Sequence, residues 1–333
     1  MKEKILRALR EHGDEFVSGA FLCTQFGVSR QAVWKNITSL RENGYEIESV
    51  PNKGYRLAGS PSGLYAPDIL SRLPEDCLCR KVECFGLLDS TNTKAKQLAE
   101  LGEAEGTLVV AEEQTAGKGR RGRNWASEPG VGIWMTLVLR PALSPAKVPG
   151  ITLLTALALT KTLWELYGVR AEIKWPNDVI LAKKKICGIL TEMSSEENYV
   201  NYVVTGIGIN ANTASFPEEI AGKATSVFQQ TGKKIDRSEL IAGMIRILCS
   251  DYKRFVEEQD LSSFVEQYNN VLVNRDKEVC VYYGMVEQAS PENTERGIAR
   301  GIDCDGALLV EMDGRVKRIL SGEVSVRGVY GYV

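Results

Sequence analysis

The spacing of apolar residues predicts three short helices followed by a hairpin at the start of the chain. Apolar positions recur at helical spacing over residues 2–12, and Ser18 and Ser29 each stand where they can cap a following helix. Two strand-like segments come next, and Pro51-Asn52-Lys53-Gly54 forms the turn between them. Three helices and a β-hairpin are the elements of a winged helix-turn-helix.

The charge of this first region favours DNA as its partner. Residues 1–60 carry nine Lys and Arg against seven Asp and Glu, whereas the whole chain has a formal charge of -2. The third helix of such a domain enters the major groove, so we expect its first residues to contact base edges and the hairpin to meet phosphates. The predicted DNA-binding residues are Ser29, Arg30, Gln31, Lys35, Lys53 and Arg56. A helical cap without a ligand and a protein-interaction module are the alternatives.

The rest of the chain is predicted to form two more domains. Residues 58–67 are small, polar and proline-bearing, as in a linker. Strand-like and helical runs then alternate to about residue 270, and short β segments separated by Asp-Gly turns follow Asn274. We therefore predict an α+β protein with a winged helix-turn-helix at 1–60, a mixed α/β domain with a largely antiparallel sheet at 67–270, and a small SH3-like β-barrel at 271–333.

Composition excludes several classes of protein. With 333 residues, 44% of them hydrophobic, the chain can bury a sizeable core, and its longest apolar runs are too short to span a bilayer. We expect a cytoplasmic protein that does not bind membranes. The eight cysteines have no framework or metal-ligand spacing, and His12 is the single histidine, which argues against triad chemistry and a structural metal site.

One basic, glycine-rich stretch stands out in the central region. TAGKGRRGRNW, residues 115–125, holds four cations and three glycines with no acid. It does not match the GxxxxGK[ST] phosphate loop, because Lys118 is followed by Gly119 and no glycine lies five residues before Gly117. Gly117, Gly119 and Gly122 do form GxGxxG, but the stretch is too basic for a dinucleotide fingerprint and no strand leads directly into a helix there. Glycines let backbone N–H groups approach an anion, and the cations add charged donors. Anion binding, a solvated loop and an RNA-contacting arm all remain open on this stretch alone.

Four further motifs stand at predicted strand ends or helix starts. They are DSTN at 89–92, KWPND at 174–178, KKKICGIL at 183–190 and GIGIN at 206–210. Lys185 leads into an apolar strand, where a buried cation requires an anionic partner. For DSTN and GIGIN, capping or turn formation is the alternative to a role in a binding site.

Taken in order, these motifs resemble those of bacterial biotin protein ligases of the bifunctional type, which also repress the biotin operon. The resemblance covers essentially the whole length, with one departure: Lys118 stands where typical members carry arginine. It implies that biotin and ATP, with Mg²⁺, form biotinyl-5'-AMP, and that biotin is then transferred to a lysine of a biotin carboxyl carrier protein. The liganded protein is expected to form a homodimer that binds operator DNA.

The resemblance also implies the site residues. Those expected around biotin are Ser90, Thr91, Asn92, Gln114, Lys118, Gly119, Arg120 and Lys185. Those expected around ATP or the adenylate are Arg120, Arg123, Trp125, Asn177, Asp178, Lys185 and Asn210, with Asp178 a candidate to accept a proton from the acceptor lysine. The individual roles of Arg121 and Arg123 are left open. The rival functions are a lipoate-protein ligase and a ligand-sensing regulator without catalysis.

Overall fold

A computed structural model describes residues 1–283, 293–322 and 324–328. Its helices are α1 (Lys2–Glu11), α2 (Gly19–Phe26), α3 (Arg30–Glu42), α4 (Ala66–Arg72), α5 (Thr91–Glu100), α6 (Pro149–Tyr167), α7 (Glu218–Ala221), α8 (Val227–Thr231), α9 (Arg237–Glu258) and α10 (Val265–Asn270). Its strands are β1 (Glu46–Val50), β2 (Gly54–Gly59), β3 (Lys81–Leu88), β4 (Thr107–Gln114), β5 (Ile133–Leu139), β6 (Glu172–Lys174), β7 (Asp178–Leu181), β8 (Lys184–Ser195), β9 (Val200–Ile209), β10 (Lys277–Tyr283), β11 (Thr294–Ile302), β12 (Leu308–Met312), β13 (Arg315–Ile319) and β14 (Val324–Gly328). Across these described ranges, every helix is too short or too polar to cross a bilayer.

The first 59 residues form three helices and a two-stranded hairpin around their own core. The side chains of Ser18 and Ser29 accept hydrogen bonds from backbone N–H groups of α2 and α3, which confirms both predicted helix starts. Gly54 begins β2 with φ 120°, and a Cβ there would lie 2.0 Å from the carbonyl oxygen of Val17. Only glycine permits this close approach of the hairpin to the helices.

Arginines of α1 hold this domain against the central one. Arg7 donates to the carbonyl oxygens of Leu70 and Leu73 at the end of α4. Arg10 forms an ion pair with Asp68, whose side chain is only 2% exposed. The stretch outside regular elements, 60–65, is shorter than the predicted linker because β2 and α4 extend into it.

The central domain is built on a seven-stranded sheet in the order β3-β4-β5-β9-β8-β7-β6. Only the β3–β4 pair is parallel among these neighbours, so the predicted largely antiparallel character is confirmed. Helix α5 covers one face through a small apolar cluster that includes Ala95 and Val138. Helices α6 and α9 cover the other face and form the main core with it. The sheet thus presents buried residues on both faces.

The last domain shares the main core of the central one. Its strands form an antiparallel sheet in the order β13-β12-β11-β10-β14. Apolar side chains of this sheet, such as Leu308 and Val310, belong to the same cluster as those of α6 and α9. Within the described residues β13 and β14 are opposite edges without mutual pairing, so a closed barrel stays a prediction.

Candidate active site

Two neighbouring cavities lie beside the ends of the central strands. The larger has a volume of about 330 Å³ and the smaller about 40 Å³. The walls of both include the residues Gly119, Arg120, Trp125, Asn177 and Lys185. Every one of these five was predicted as a site residue, and together they form the partition between the two spaces.

The basic loop folds back on itself to form part of this partition. The backbone N–H of Gly119 donates to Arg123 at 2.7 Å, and that of Trp125 donates to Gly117 at 2.9 Å. A Cβ at Gly117 would lie 2.5 Å from the carbonyl oxygen of Trp125, so the crossing of the two chain segments requires glycine here. Arg121, at the tip, adopts the left-handed conformation with φ 58°.

Arg120 connects the loop to two distant parts of the chain. Its guanidinium donates to the side-chain oxygen of Asn177 at 2.8 Å and to the carbonyl oxygen of Gly322 at 2.7 Å. Burial lowers the pKa of Arg120 from its usual value, against the attraction of Asp178. Arg121 in turn donates to Ser325 Oγ at 3.2 Å. The loop therefore lies between the KWPND segment and the last domain.

KWPND forms the tight connection between β6 and β7. Lys174 and Asp178 are directly opposite in this hairpin. Asp178 also forms an ion pair with Lys185 Nζ at 2.6 Å. The Lys185 ammonium also lies 5.1 Å from the centre of the Trp125 ring, within cation–π range. Trp175 also borders the larger cavity, and its indole N–H donates to the carbonyl oxygen of Gly306 in the last domain. The motif thus combines charged groups facing the cavity with an anchor for the neighbouring domain.

Trp125 lies directly over two glycines of the sheet. A Cβ on Gly188 would lie 2.7 Å from its ring, and one on Gly208 would lie 2.6 Å from it. The indole N–H is buried and finds no hydrogen-bond partner among the described residues. The glycines of GIGIN and of KKKICGIL therefore make room for an aromatic ring at the partition.

DSTN lies at the smaller cavity and does not cap its helix in the ordinary way. Ser90 occupies the cap position of α5 without a side-chain capping bond. Instead, Gln114 Oε1 accepts from the backbone N–H and the hydroxyl of Thr91 at 2.8 and 3.1 Å. Gln114 Nε2 donates to Ser127 Oγ. Capping alone therefore does not explain why Ser90 is buried beside this cavity.

Asn92 is held at both ends of its amide by the protein. Its Nδ2 donates to Glu192 Oε2 at 2.8 Å, and its Oδ1 accepts from the hydroxyl of Thr136 at 2.7 Å. Glu192 also pairs with Lys96 at 2.6 Å. Gly206 faces this group, and a Cβ there would lie 2.0 Å from Asn92 Oδ1.

The remaining predicted residues divide between the two cavities. Lys118 lines the smaller one and donates to Thr93 Oγ1 at 3.2 Å. Arg123, Asp178 and Asn210 line the larger one. Asn210 is buried and donates its side-chain N–H to the carbonyl oxygen of Thr225 at 3.1 Å.

Sequence reasoning missed several residues at the site, among them Lys174, Arg327 and Thr136. Lys174 and Arg327 line the larger cavity, and the hydroxyl of Thr136 lies behind the smaller one against Thr91 and Asn92. Lys174 was within a recognised motif, so its buried position could have been suspected. Arg327 and Thr136 stand in ordinary strand sequences that carry no signal of a site.

The predicted DNA-binding residues lie far along the chain from the cavities, on α3 and the β1–β2 hairpin. Arg30, Gln31, Lys35 and Lys53 are exposed, and Ser29 is exposed while its Oγ caps α3. Arg56 is half-buried: it pairs with Glu48 at 2.7 Å and covers the ring of Phe16. The five exposed side chains can reach a ligand without giving up an ion pair seen here.

Three sequence families match successive parts of the chain. Residues 2–56 match a family described as HTH domain, residues 84–210 match the Biotin/lipoate A/B protein ligase family, and residues 289–327 match the Biotin protein ligase C terminal domain. The matches follow the order of the folded domains.

Relatives of similar length cover almost the whole chain. The Bifunctional ligase/repressor BirA of Bacillus subtilis (strain 168) is 38% identical over 331 residues, covering 98% of each chain. The protein of the same name from Escherichia coli (strain K12) is 33% identical, over 97% of this chain and 96% of its own. Among solved structures, the biotin protein ligase from Aquifex aeolicus in complex with biotin and ATP superimposes with a TM-score of 0.64 at 30% identity, covering 75% of this chain and 99% of its own.

Proposed function

The chain belongs to the family of bifunctional biotin protein ligases and repressors, and on this premise we propose how its two cavities divide the reaction. It is a biotin protein ligase with a helix-turn-helix repressor domain. Biotin occupies an enlarged form of the smaller cavity, ATP occupies the larger, and the two substrates react at the partition. We divide the chain accordingly into a DNA-binding domain at 1–60, a catalytic domain at 67–270 and a small β domain at 271–333.

The observation that supports this arrangement is the pair of cations in the partition. Arg120 and Lys185 are the cationic side chains that border both cavities. In the first step the biotin carboxylate attacks the α-phosphorus of ATP, pyrophosphate leaves and biotinyl-5'-AMP forms. Two anionic groups have to meet, so fixed positive charge between them lowers the barrier and no enzyme nucleophile is needed.

The polar side chains around the smaller cavity suit the ring end of biotin. Ser90, Thr91 and Gln114 offer hydroxyl and amide groups there, while Lys118 and Gly119 lie toward the carboxylate. Asn92 already uses both ends of its amide, so its part is to fix Thr136 and Glu192 as well as to border the ligand. Asn92 therefore positions its neighbouring side chains in addition to contacting biotin.

A volume of about 40 Å³ holds only a few water molecules, so the smaller cavity has to enlarge before biotin enters. Trp125 and Lys185 are two of the side chains of its wall that also border the larger space. Movement of Trp125 away from Gly208 would join the two spaces and bring its ring toward the adenine.

The larger cavity suits a nucleotide. Arg123 supplies positive charge for phosphates, and Asn210 and Asp178 supply polar groups near the ribose and α-phosphate. The described residues contain no cluster of three or more metal ligands, and the carboxylates at this cavity are Asp178 and Glu128. This set fits a Mg²⁺ ion that arrives with ATP and keeps most of its water ligands. Such an ion would neutralise phosphate charge.

In the second step a lysine of a biotin carboxyl carrier protein attacks the acyl carbon of biotinyl-5'-AMP, and AMP leaves. The attacking amine has to lose a proton, and Asp178 is a carboxylate at the partition, since it contacts Lys185 at 2.6 Å. We assign it the acceptance of that proton.

The N-terminal domain binds operator DNA as the regulatory half of the protein. Arg30 and Gln31 begin the exposed face of α3, and Lys35 and Lys53 extend the positive surface. Two copies of the liganded protein would present two such helices to a palindromic site. The cytoplasmic location expected from the sequence stays a prediction.

One assay tests the catalytic assignment. The protein is incubated with ATP, Mg²⁺ and labelled biotin or labelled lipoate, with and without a carrier domain. We expect label on the carrier with biotin only, and labelled adenylate when the carrier is omitted. Label from lipoate alone, or no adenylate with either acid, would contradict the assignment.

A further inference from the structure

Lys174 is a buried cation that the two-step scheme above does not use. It ends β6 and is only 7% exposed, although it lines the larger cavity. Burying an ammonium group costs free energy unless anionic groups compensate. The position of Lys174 therefore calls for an explanation from its charged surroundings.

Those surroundings hold more positive than negative charge. The charged groups that act on Lys174 are Asp178 on β7, Lys185 on β8, Arg123 in the basic loop and Arg327 on β14. The one carboxylate among them is shared, since Asp178 also pairs with Lys185 at 2.6 Å. Burial, followed by the three other cations, lowers the pKa of Lys174 to about 8 despite Asp178. Four cations around one carboxylate leave a net positive charge that favours an anionic ligand.

The position of this positive charge indicates which anion it binds. Lys174, Arg123 and Arg327 line the larger cavity and are absent from the wall of the smaller one. The biotin carboxylate is met at the partition by Arg120 and Lys185. The group of three therefore borders the cavity proposed for the nucleotide and not the one proposed for biotin.

We propose that Lys174 is a catalytic residue of the adenylation step, where it binds the phosphate oxygens of ATP that leave as pyrophosphate. The inference rests on the proposed function and names a further residue for it. The bond from the biotin carboxylate oxygen to the α-phosphorus forms, and the bond from that phosphorus to the bridging oxygen breaks. The electron pair stays on the pyrophosphate oxygen, whose growing charge the Lys174 ammonium stabilises.

The two half-reactions separate this role from a structural one. Adenylation is followed by biotin-dependent exchange of labelled pyrophosphate into ATP, and transfer is followed with pre-formed biotinyl-5'-AMP and a carrier domain. For Lys174→Met we expect exchange to fall about 100-fold while transfer changes by less than about twofold, because the adenylate no longer contains pyrophosphate. Lys174→Arg keeps the charge and should restore most of the exchange. Lys183→Met, at an exposed lysine of the β7–β8 turn, is the control.

The pH dependence gives a second measurement. The pKa of Lys174 is lowered to about 8, so as pH rises through this value the free enzyme increasingly has to take up a proton when it binds ATP. KM for ATP then tends toward a tenfold rise per pH unit. Arginine remains charged, so Lys174→Arg should flatten this rise. If Lys174→Met is unstable in a thermal melt, the pH dependence of KM for ATP in Lys174→Arg still tests the proposal.

Two results would overturn the inference. An equal loss of exchange and transfer in Lys174→Met would mean that the lysine only positions Asp178 and Lys185. An unchanged KM profile in Lys174→Arg would mean that its charge does not meet the nucleotide. Absence of biotin-dependent exchange in the unaltered protein is a different outcome, because it would contradict the proposed function itself.

Discussion

The guanidinium of Arg120 donates a 2.8 Å hydrogen bond to the side-chain oxygen of Asn177. This bond joins the basic loop to the KWPND hairpin across the partition between the two cavities. An intermediate formed at the partition would be enclosed between these two segments, so its retention should depend on the contact between them.

The first prediction concerns Arg120→Gly. The substitution removes a charged donor from the partition, so we expect biotinyl-5'-AMP to escape about 10- to 100-fold faster. Synthesis of the adenylate should slow less than its release accelerates. The measurement is the release of labelled adenylate into an excess of unlabelled compound, together with labelling of bystander proteins. Arg121→Gly removes a charge from the same loop without touching Asn177, and equal release by both variants would count against a clamp made by Arg120.

The second prediction concerns Trp125, which has to leave Gly208 when the cavities join. Intrinsic fluorescence should change when biotin and then ATP are added, and the Trp125→Phe variant should lose most of that change. Trp125→Ala should raise KM for ATP about tenfold or more, since a base–aromatic stack is lost. A fluorescence change that survives in Trp125→Phe would assign the signal to another of the five tryptophans.

A third prediction concerns a largely buried ion pair within the central domain, which also holds the linker by a hydrogen bond. Arg237 is 5% exposed, and its guanidinium pairs with Glu112 at 2.7 Å and donates to the carbonyl oxygen of Ser62. Arg237→Met leaves Glu112 without its partner, so the free energy of unfolding should fall by about 3 kcal/mol in urea titration. Arg246→Met, at an exposed pair on the same helix, should change it by less than about 1 kcal/mol.

The same pair makes stability depend on pH. Burial alone would raise the pKa of Glu112, but hydrogen bonds from Arg237 and the backbone N–H of Leu64 hold it below 4.5. A carboxyl with a lowered folded-state pKa stabilises fully above pH 4.5, and the contribution is lost as pH falls through the folded value. Glu112→Gln should therefore show a shallower loss of stability in acid than the unaltered protein, and parallel curves would contradict this.

The fourth prediction concerns DNA. Using a duplex enriched from a random library by the liganded protein, we expect biotinyl-5'-AMP to raise affinity and to steepen its dependence on protein concentration, as dimerisation requires. Arg30→Ala should cost about 1–3 kcal/mol on this duplex. Lys35→Met should lower the slope of log affinity against log salt by about one. Lys4→Met, at an exposed lysine of α1, should change neither, and equal affinity with and without ligand would refute the coupling.

Most elements of this fold could be predicted from local sequence, whereas the partners of the site residues could not. Ser18 and Ser29 could be predicted as helix caps because each hydroxyl accepts a hydrogen bond from the backbone N–H only three residues later. The partner of Thr91 is Gln114 rather than Ser90, because strand β4 brings that amide to the first turn of α5. Arg327 reaches the cavity only because the last sheet packs against the basic loop, a contact that no local pattern encodes.

The first and last domains differ in how much of the remaining structure depends on them. The first domain has a core of its own, so trimming it away would leave the central hydrophobic core whole, at the cost of exposing Asp68 once Arg10 is gone. The last domain completes the main core through Leu308 and Val310 and supplies Gly322 and Arg327 to the site. A shortened biotin-labelling reagent built from this protein would therefore have to be trimmed from its beginning and keep its end.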